Sequence, residues 1–210
     1  MKTQAQMAKR KKPPILVNGT VPPKRVPNSE RRPREYLTAS EVKKLIETAR
    51  KRNRYGARDA LMILITYRHG LRVSELCALT WDQIDFAHGL FHVQRVKNGM
   101  PSVHPIGGEE LRALRAHRRD DDAGRFVFTT ERKAPMTSAG FRKLLARIGV
   151  AAKIPFLVHP HMLRHACGYK LANDGHDTRA LQHYLGHKNI THTVRYTELS
   201  HDRFKTFWKD

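Results

Sequence analysis

The spacing of hydrophobic residues along the chain is mostly helical. Thr38 and Glu41 have the spacing of a capping box, and Leu37 and Val42 occupy the flanking staple positions, which predicts a helix start. Apolar positions of helical period predict further helices over residues 58–69, 109–118, 138–148, 161–173, 178–185 and 204–208. Residues 58–69 are apolar nearly all round, so they should form the central helix, stopped by Gly70.

A different pattern occupies the middle of the chain. Residues 90–96 and 102–106 alternate between apolar and polar positions around Lys97, Asn98 and Gly99, which predicts a β-hairpin with Lys97 near its tip. Residues 125–129 predict another short strand. The expected fold class is therefore mainly α with a small β-sheet (α+β), and no internal repeat is visible.

The first 36 residues show neither a helical nor a strand period. They contain six of the eleven prolines, and ten basic residues against two acidic ones. The expected organisation is a flexible, basic, proline-rich tail over residues 1–36 and one folded domain over residues 37–210. Two interpretations of the tail stay open: a solvated leader, or a basic arm that orders along the DNA backbone.

The whole chain is strongly basic, with 40 Lys and Arg residues against 19 Asp and Glu, a formal net charge of +21. A field of this sign attracts polyanions, so nucleic acid is the expected partner. Charge alone fits a ribosomal-type binding protein, a nucleoid protein or a membrane-surface protein as well as an enzyme. It therefore predicts the partner but not the activity.

The sequence contains no predicted membrane anchor. Its longest unbroken apolar run covers residues 60–65, whereas roughly 20 apolar residues are needed to span a bilayer. The basic N-terminus precedes no apolar signal core, so a cytoplasmic location is expected. The two cysteines, Cys77 and Cys167, are expected to be reduced packing residues.

Cationic residues concentrate in residues 159–196, which contain seven of the thirteen histidines together with several arginines. His161 and Arg164 are three residues apart and share one helical face, where Arg164 offers a bidentate fork for phosphate. His161 and His165 also have the spacing of a helical zinc pair. No glutamate follows His161 and no third ligand is evident, so neither a metal nor another cofactor is expected.

Four segments carry a family resemblance. They are GLRVSEL at residues 70–76, HMLRH at 161–165, LGH at 185–187 and RYT at 195–197. These segments resemble the ordered boxes of the tyrosine recombinases, or phage-integrase family, and the resemblance spans about residues 37 to 208. Within the family, HPHMLRH at 159–165 and DTR at 177–179 are most similar to the short invertases of fimbrial phase variation. The resemblance implies a recombinase catalytic domain, of the DNA breaking-rejoining enzyme fold, without a separate N-terminal core-binding domain.

The resemblance also implies a chemistry. The chain would be a site-specific DNA recombinase that inverts, integrates or excises DNA through a 3′-phosphotyrosine intermediate, without metal or ATP. Tyr196, nine residues after His187, corresponds to the nucleophile. Arg72 and Arg164 correspond to the arginines that bind the non-bridging oxygens of the scissile phosphate. Lys97 corresponds to the hairpin lysine that protonates the departing 5′ oxygen.

Two histidines correspond to the remaining phosphate-pocket positions. His161 would hydrogen-bond the phosphate or accept the tyrosine proton, and His187 would donate to a phosphate oxygen, roles that the sequence does not separate. Glu75 follows Arg72 by three residues and is expected to hold its guanidinium. His165 is expected to support the site in a similar way.

The implied partners are double-stranded DNA with inverted-repeat sites, further copies of the chain as a dimer on one site and a tetramer in the synapse, and DNA-bending accessory proteins. The expected location is the cytoplasm, with the nucleoid. Phe204, Phe207 and Trp208 resemble the family's terminal helix, which docks on a neighbouring protomer, although covering the chain's own core fits equally. Two alternatives stay open: a type IB topoisomerase, and a non-catalytic DNA-binding protein that keeps the fold.

Overall fold

The structure is a computed structural model, and it describes residues 34–95, 99–120 and 124–198. Three features predicted from the sequence lie outside these ranges: most of the basic tail, Lys97 at the hairpin tip, and the helix over residues 204–208. The division at residue 36 therefore stays a prediction.

Eight α-helices and one three-stranded sheet make up the described part of the chain. In chain order the elements are α1 (Ala39–Arg52), α2 (Gly56–Arg68), α3 (Val73–Cys77), a 3-10 turn (Trp81–Gln83), β1 (Ile84–Asp85), β2 (Leu90–Val93), β3 (Ser102–Pro105), α4 (Gly108–Asp120), α5 (Ser138–Ala151), α6 (Pro160–Asn173), α7 (Thr178–Leu185) and α8 (Thr191–Thr197).

Helix α1 begins as the sequence predicts. The Thr38 side chain accepts from the Glu41 backbone N–H at 3.3 Å, and the Glu41 carboxylate accepts from the Thr38 N–H at 2.8 Å. This reciprocal pair satisfies two backbone donors that the first helical turn leaves free. Leu37 and Val42, the staple residues, are buried, so the predicted capping box and its hydrophobic contact are both confirmed.

Helix α2 is the centre of the domain. It is buried along most of its length and packs against α1, α4 and α6. The chain leaves the helix through His69 and Gly70, and Gly70 has a left-handed φ of +56°, as predicted for the stop. No helix in the described ranges, α2 included, is both long and apolar enough to cross a membrane.

The sheet is antiparallel with strand order β1-β2-β3. In the β2–β3 pair, Phe91 lies opposite His104 and Val93 opposite Ser102, which confirms the predicted hairpin. The short strand β1 was not predicted, because two residues are too few to show alternation.

The strand predicted over residues 125–129 is wrong. The segment forms only isolated bridges, Thr80 with Phe126 and Thr129 with Pro135. The Val127 N–H donates to the Leu79 carbonyl, whereas the Phe128 carbonyl accepts from the Met136 N–H. Because the pairing partner changes between adjacent residues, no continuous ladder forms.

A chain of buried polar side chains ties the sheet to the end of α2. His69 donates through Nε2 to the Glu110 carboxylate at 3.0 Å, and its Nδ1 meets Nδ1 of His104 at 3.1 Å. Nε2 of His104 lies 2.9 Å from the Ser102 hydroxyl, and its ring stacks on Tyr184 of α7 with centroids 3.8 Å apart. Burial, reinforced by the charges of His69 and Arg95, lowers the pKa of His104 to about 3.

His104 should make the stability of the fold depend on pH. Its pKa is about 3 in the folded chain against 6.5 ordinarily, so below pH 6.5 the unfolded chain binds a proton that the folded chain does not. Stability is then complete above pH 6.5 and falls as the pH decreases. Urea unfolding measures the free energy of unfolding at pH 7 and at pH 5. The decrease between these two pH values should be smaller by about 2 kcal/mol for His104→Gln than for the wild type.

The matched control for this measurement is His183→Gln, which changes an exposed histidine on α7. It should keep the wild-type dependence on pH. If the free energy of unfolding falls equally with pH in the wild type and in His104→Gln, the assignment of this pH dependence to His104 is contradicted.

Candidate active site

Arg164 connects the sequence segments that carry the candidate site residues. It lies in the first turns of α6, which begins at Pro160, a residue suited to the first helical position. Only 1% of Arg164 is exposed. Its guanidinium donates to the carbonyl of Gly70 and, at 2.6 Å, to the carbonyl of Leu185. One buried side chain thus joins the segments that carry Arg72 and His187.

Arg72 stands at the N-terminus of α3 and is tied to Glu75. The Glu75 carboxylate accepts from the Arg72 guanidinium at 2.7 Å and from the Arg72 backbone N–H at 2.8 Å. Burial raises the pKa of Glu75, but the Arg72 backbone N–H and the charge of Arg95 outweigh it and the net pKa is lowered. Glu75 is therefore ionised. The contact predicted between these two residues is present, and 28% of the Arg72 side chain stays exposed to solvent.

His187 follows the left-handed turn that ends α7. Gly186 has φ +65° and Gln182 donates to the His187 carbonyl at 3.0 Å, which fixes the backbone of this turn. Nδ1 of His187 lies 2.8 Å from the Thr193 hydroxyl, so a ligand would be met by Nε2. Burial and the charges of Arg164 and Arg72 lower the pKa of His187 to about 3. The ring is therefore neutral at pH 7.

His161 lies in the first turn of α6 and is exposed. Its ring packs edge to face on His165 with centroids 4.4 Å apart. Partial desolvation of the ring, followed by the charges of Arg164 and His159, lowers the pKa of His161 to about 4. Among the described residues, no group of three or more metal-binding side chains includes His161 and His165.

Tyr196, the predicted nucleophile, lies in α8 with 1% of its surface exposed. Its hydroxyl is 2.8 Å from Nδ1 of His165. Burial raises the pKa of the Tyr196 phenol to about 12, against the opposing charges of Arg164 and Arg195. Burial also lowers the pKa of His165 to about 3. His165 is therefore neutral, and in the tautomer protonated on Nε2 it accepts the hydrogen bond from Tyr196.

The described site residues share an excess of positive charge. The pKa of Arg164 itself is lowered to about 10, by burial first and then by the charges of Arg72 and Arg95. A negative charge placed among these groups would relieve their mutual repulsion. Two of the site residues, Arg72 and His187, line an open cleft of about 710 Å³, together with Arg179, Gln182, Lys188, Asn189, Ile190 and His192. The basic side chains among these lining residues suit a phosphate group.

Six of the eight residues predicted from the sequence are brought into two linked groups: Arg72 with Glu75, and His161, Arg164, His165 and Tyr196 around α6. Arg164 connects His187 to these groups, because its guanidinium donates to the carbonyl of Leu185, two residues before His187. The His187 ring also stacks on the Tyr196 ring, with centroids 6.3 Å apart. Lys97 lies outside the described residues, so its role stays a prediction.

Arg95 belongs to the site but was not predicted from the sequence. Phe91, Val93 and Arg95 occupy alternate positions of β2 and its extension, and all three are buried. This alternation was the available signal, because it places an arginine on the inward face of a strand. Arg95 donates to Glu75 at 3.0 Å, so it belongs to the surroundings of Arg72.

Comparisons with known proteins identify the family. The phage integrase family model matches residues 35–203. The chain is 40% identical over 182 residues to the type 1 fimbriae regulatory protein FimE of Escherichia coli (strain K12), covering 84% of this chain and 91% of that protein. It therefore belongs to the phage integrase family, the tyrosine recombinases.

Solved structures agree with this result. The XerA recombinase superposes with a TM-score of 0.70 at 26% identity, covering 81% of this chain and 62% of that one. A post-cleavage complex of the XerH recombinase with its difH substrate has a TM-score of 0.70 at 22% identity, covering 81% of this chain and 51% of that one, and shows the fold alone. The predicted family, catalytic-domain fold and enzyme class, a tyrosine site-specific recombinase, are confirmed.

A close helix contact sets the position of Tyr196, and it can be tested at Gly168. A Cβ at Gly168 would lie 2.6 Å from the Tyr196 ring. Glycine to alanine inside a helix ordinarily stabilises by about 1 kcal/mol, but Gly168→Ala should destabilise the domain and displace Tyr196. Urea unfolding checks this, with Gly108→Ala as control, because a Cβ there meets only the mobile end of Arg112. A stabilised Gly168→Ala protein would contradict the contact.

Proposed function

We propose that this protein cuts and rejoins double-stranded DNA at specific sites through a covalent bond between Tyr196 and a 3′ phosphate. The observation that carries the proposal is the hydrogen bond of the Tyr196 hydroxyl to His165, beside a buried arginine that links the segments bearing Arg72 and His187. A phenol, a neutral imidazole and guanidinium groups in one place provide a nucleophile, a proton acceptor and charge stabilisation.

In the proposed cleavage step, the Tyr196 oxygen attacks the scissile phosphorus and the bond from phosphorus to the 5′ oxygen breaks. Arg72 and Arg164 neutralise the negative charge that builds on the non-bridging oxygens of the five-coordinate transition state. The phenol proton passes to His165 or His161, and the departing 5′ oxygen takes a proton from a cationic donor, for which Lys97 is the candidate. His187 donates to a phosphate oxygen through Nε2.

Rejoining is the reverse of this reaction. A 5′ hydroxyl attacks the phosphotyrosine and releases Tyr196. Because the phosphodiester energy is kept in the covalent intermediate, neither step consumes ATP. Exchange of the attacking 5′ hydroxyl between two DNA molecules or sites produces inversion, integration or excision.

The buried position of Tyr196 implies a movement before attack. Tyr196 is 1% exposed, so a phosphodiester in the cleft cannot reach its hydroxyl without a shift of α8. The same burial raises the pKa of the phenol to about 12, which opposes its ionisation. Such a shift would bring the phenol toward the guanidinium groups, whose positive charge favours the phenolate. We propose that DNA binding causes this shift of α8.

The net charge of +21 supports DNA as the partner, and the further partners are proposed from the likeness to the family. The proposed partners are DNA with inverted-repeat sites, a second copy on the same site, a tetramer in the synapse, and DNA-bending accessory proteins. The basic tail would contribute contacts to the phosphate backbone. The protein would act in the cytoplasm, at the nucleoid.

The covalent step is tested with nicked suicide duplexes and supercoiled plasmid that carry the DNA flanking the coding sequence, in the presence of EDTA. Wild type should form a protein–DNA adduct on denaturing gels, and Tyr196→Phe should form none. Tyr169→Phe is the matched control, since the Tyr169 ring contacts that of Tyr196 at 5.0 Å, and it should still form the adduct.

Other outcomes separate the alternatives. Relaxed plasmid without exchanged partners would favour a type IB topoisomerase. Salt-sensitive binding of wild type without any adduct would instead identify a non-catalytic DNA-binding protein and overturn the proposal.

Arg72 should be needed for cleavage far more than for DNA affinity. Arg72→Ala removes a charge that acts on the transition state, so the single-turnover cleavage rate should fall by roughly 100- to 1,000-fold, or about 3 to 4 kcal/mol of barrier. The dissociation constant for the duplex, measured by fluorescence anisotropy, should change by less than about tenfold because many phosphates share the binding. Equal losses in both quantities would contradict this role.

A further inference from the structure

Arg95 is a buried arginine that the mechanism above does not use. It extends β2 on the face of Phe91 and Val93, and its side chain is 0% exposed. Removing a guanidinium from water is unfavourable unless its charge and its N–H groups are matched by partners. The partners of Arg95 therefore indicate what it does.

The contacts of Arg95 reach three separate segments of the chain. Nη1 donates to the Glu75 carboxylate at 3.0 Å, and Nη2 donates to the carbonyl of Tyr184 and, at 3.4 Å, to that of His69. His69 precedes the turn that leads to Arg72, and Tyr184 precedes the turn that leads to His187. A single planar group thus fixes the distance between these two turns.

Glu75 is shared between Arg95 and Arg72. Its Oε2 accepts from both Arg95 and the Arg72 backbone N–H, while Oε1 accepts from the Arg72 guanidinium. With Arg95 on one side, the carboxylate cannot rotate without losing a charged hydrogen bond. The orientation of the Arg72 guanidinium therefore depends on Arg95, through Glu75.

The turn before His187 is shaped around the same side chain. A Cβ at Gly186 would lie 2.8 Å from Nε of Arg95, and one at Gly99 would lie 2.7 Å from its Cβ. Both glycines thus allow close approach to Arg95. Its Nε has no hydrogen-bond partner among the described residues, so stability alone does not account for an arginine at this position.

We propose that Arg95 is a positioning residue for strand cleavage: through Glu75 it orients Arg72, and through the Tyr184 carbonyl it sets the turn that carries His187. This inference rests on the function proposed above. Arg95 has no contact with DNA in the proposed reaction; it acts through Arg72 and His187. Its loss should therefore slow the chemical step and leave DNA affinity nearly unchanged.

The experiment uses Arg95→Met in the full chain, with single-turnover adduct formation at Tyr196 as the readout. The rate on a phosphodiester should fall roughly 10- to 100-fold, the effect expected of a misplaced catalytic group. The measurement is repeated with a methylphosphonate at the scissile position, which replaces a charged non-bridging oxygen by a neutral methyl group. Because Arg72 then has less charge to neutralise, the ratio of wild-type to variant rates should shrink by at least about threefold, and the defect that remains is the part that acts through His187.

Two further variants keep the test decisive. Arg95→Lys retains a charge beside Glu75 but cannot span the carboxylate and the Tyr184 carbonyl, and it should show the same pattern if Arg95→Met fails to fold. Arg58→Met is the matched control, since Arg58 also joins a carboxylate, Asp59, to a backbone carbonyl, that of Thr129. This control should lower the unfolding temperature while the rate per folded molecule stays at the wild-type value.

The results distinguish this inference from the proposed function. If wild type forms no adduct at Tyr196, the proposed function fails. If wild type forms it and the Arg95 variants match wild type, or are impaired equally on both substrates, only the positioning role is overturned. A defect that shrinks on the methylphosphonate supports the role.

Discussion

Mutual repulsion among closely placed cationic groups, two of them buried, is the constraint around which this domain is organised. Arg72, Arg95 and Arg164 converge near the ends of α2, α6 and α7, and Glu75 is the carboxylate that two of them contact. In water such groups would separate; inside the domain they are kept together by carbonyl oxygens and by the apolar packing of the central helix. The folded chain therefore carries an unfavourable electrostatic energy that an anion in the cleft relieves, which couples the stability of the domain to its substrate.

Backbone carbonyls are as important to this arrangement as side chains. The Arg164 guanidinium donates to the carbonyls of Gly70, which is itself a left-handed glycine, and of Leu185, which precedes the left-handed Gly186. Turns with a left-handed glycine point carbonyl groups inward at positions that a regular helix would not offer. The glycines of the GLR and LGH segments thus have a physical role: their turns present backbone acceptors to a buried guanidinium and position Arg72 and His187, which follow.

Much of the fold could be predicted because its signals are local. The Thr38 capping box, the apolar α2 and the hairpin alternation each depend on neighbours within a few residues, and each is found as predicted. The segment at residues 125–129 could not be predicted correctly, since its pairing partners come from two distant parts of the chain. For the candidate site, motif order predicted Arg72, Arg164, His187 and Tyr196 as partners, and the structure brings their segments together. The bond from His165 to Tyr196 and the burial of Arg95 depend on helix packing. Spacing along the sequence carries no direct information about either.

The covered position of Tyr196 has a consequence for how affinity relates to reactivity. If opening of α8 is driven by DNA, part of the free energy released by phosphate contacts is consumed in uncovering the phenol and does not appear in the equilibrium constant for binding. The measured affinity then understates the strength of the phosphate contacts. A random polyanion can bind equally tightly and yet leave the nucleophile covered, if it engages the cleft less completely. Discrimination between a true target and bulk DNA would therefore be larger in the rate of bond breakage than in occupancy, so that transient binding elsewhere on a chromosome does little damage.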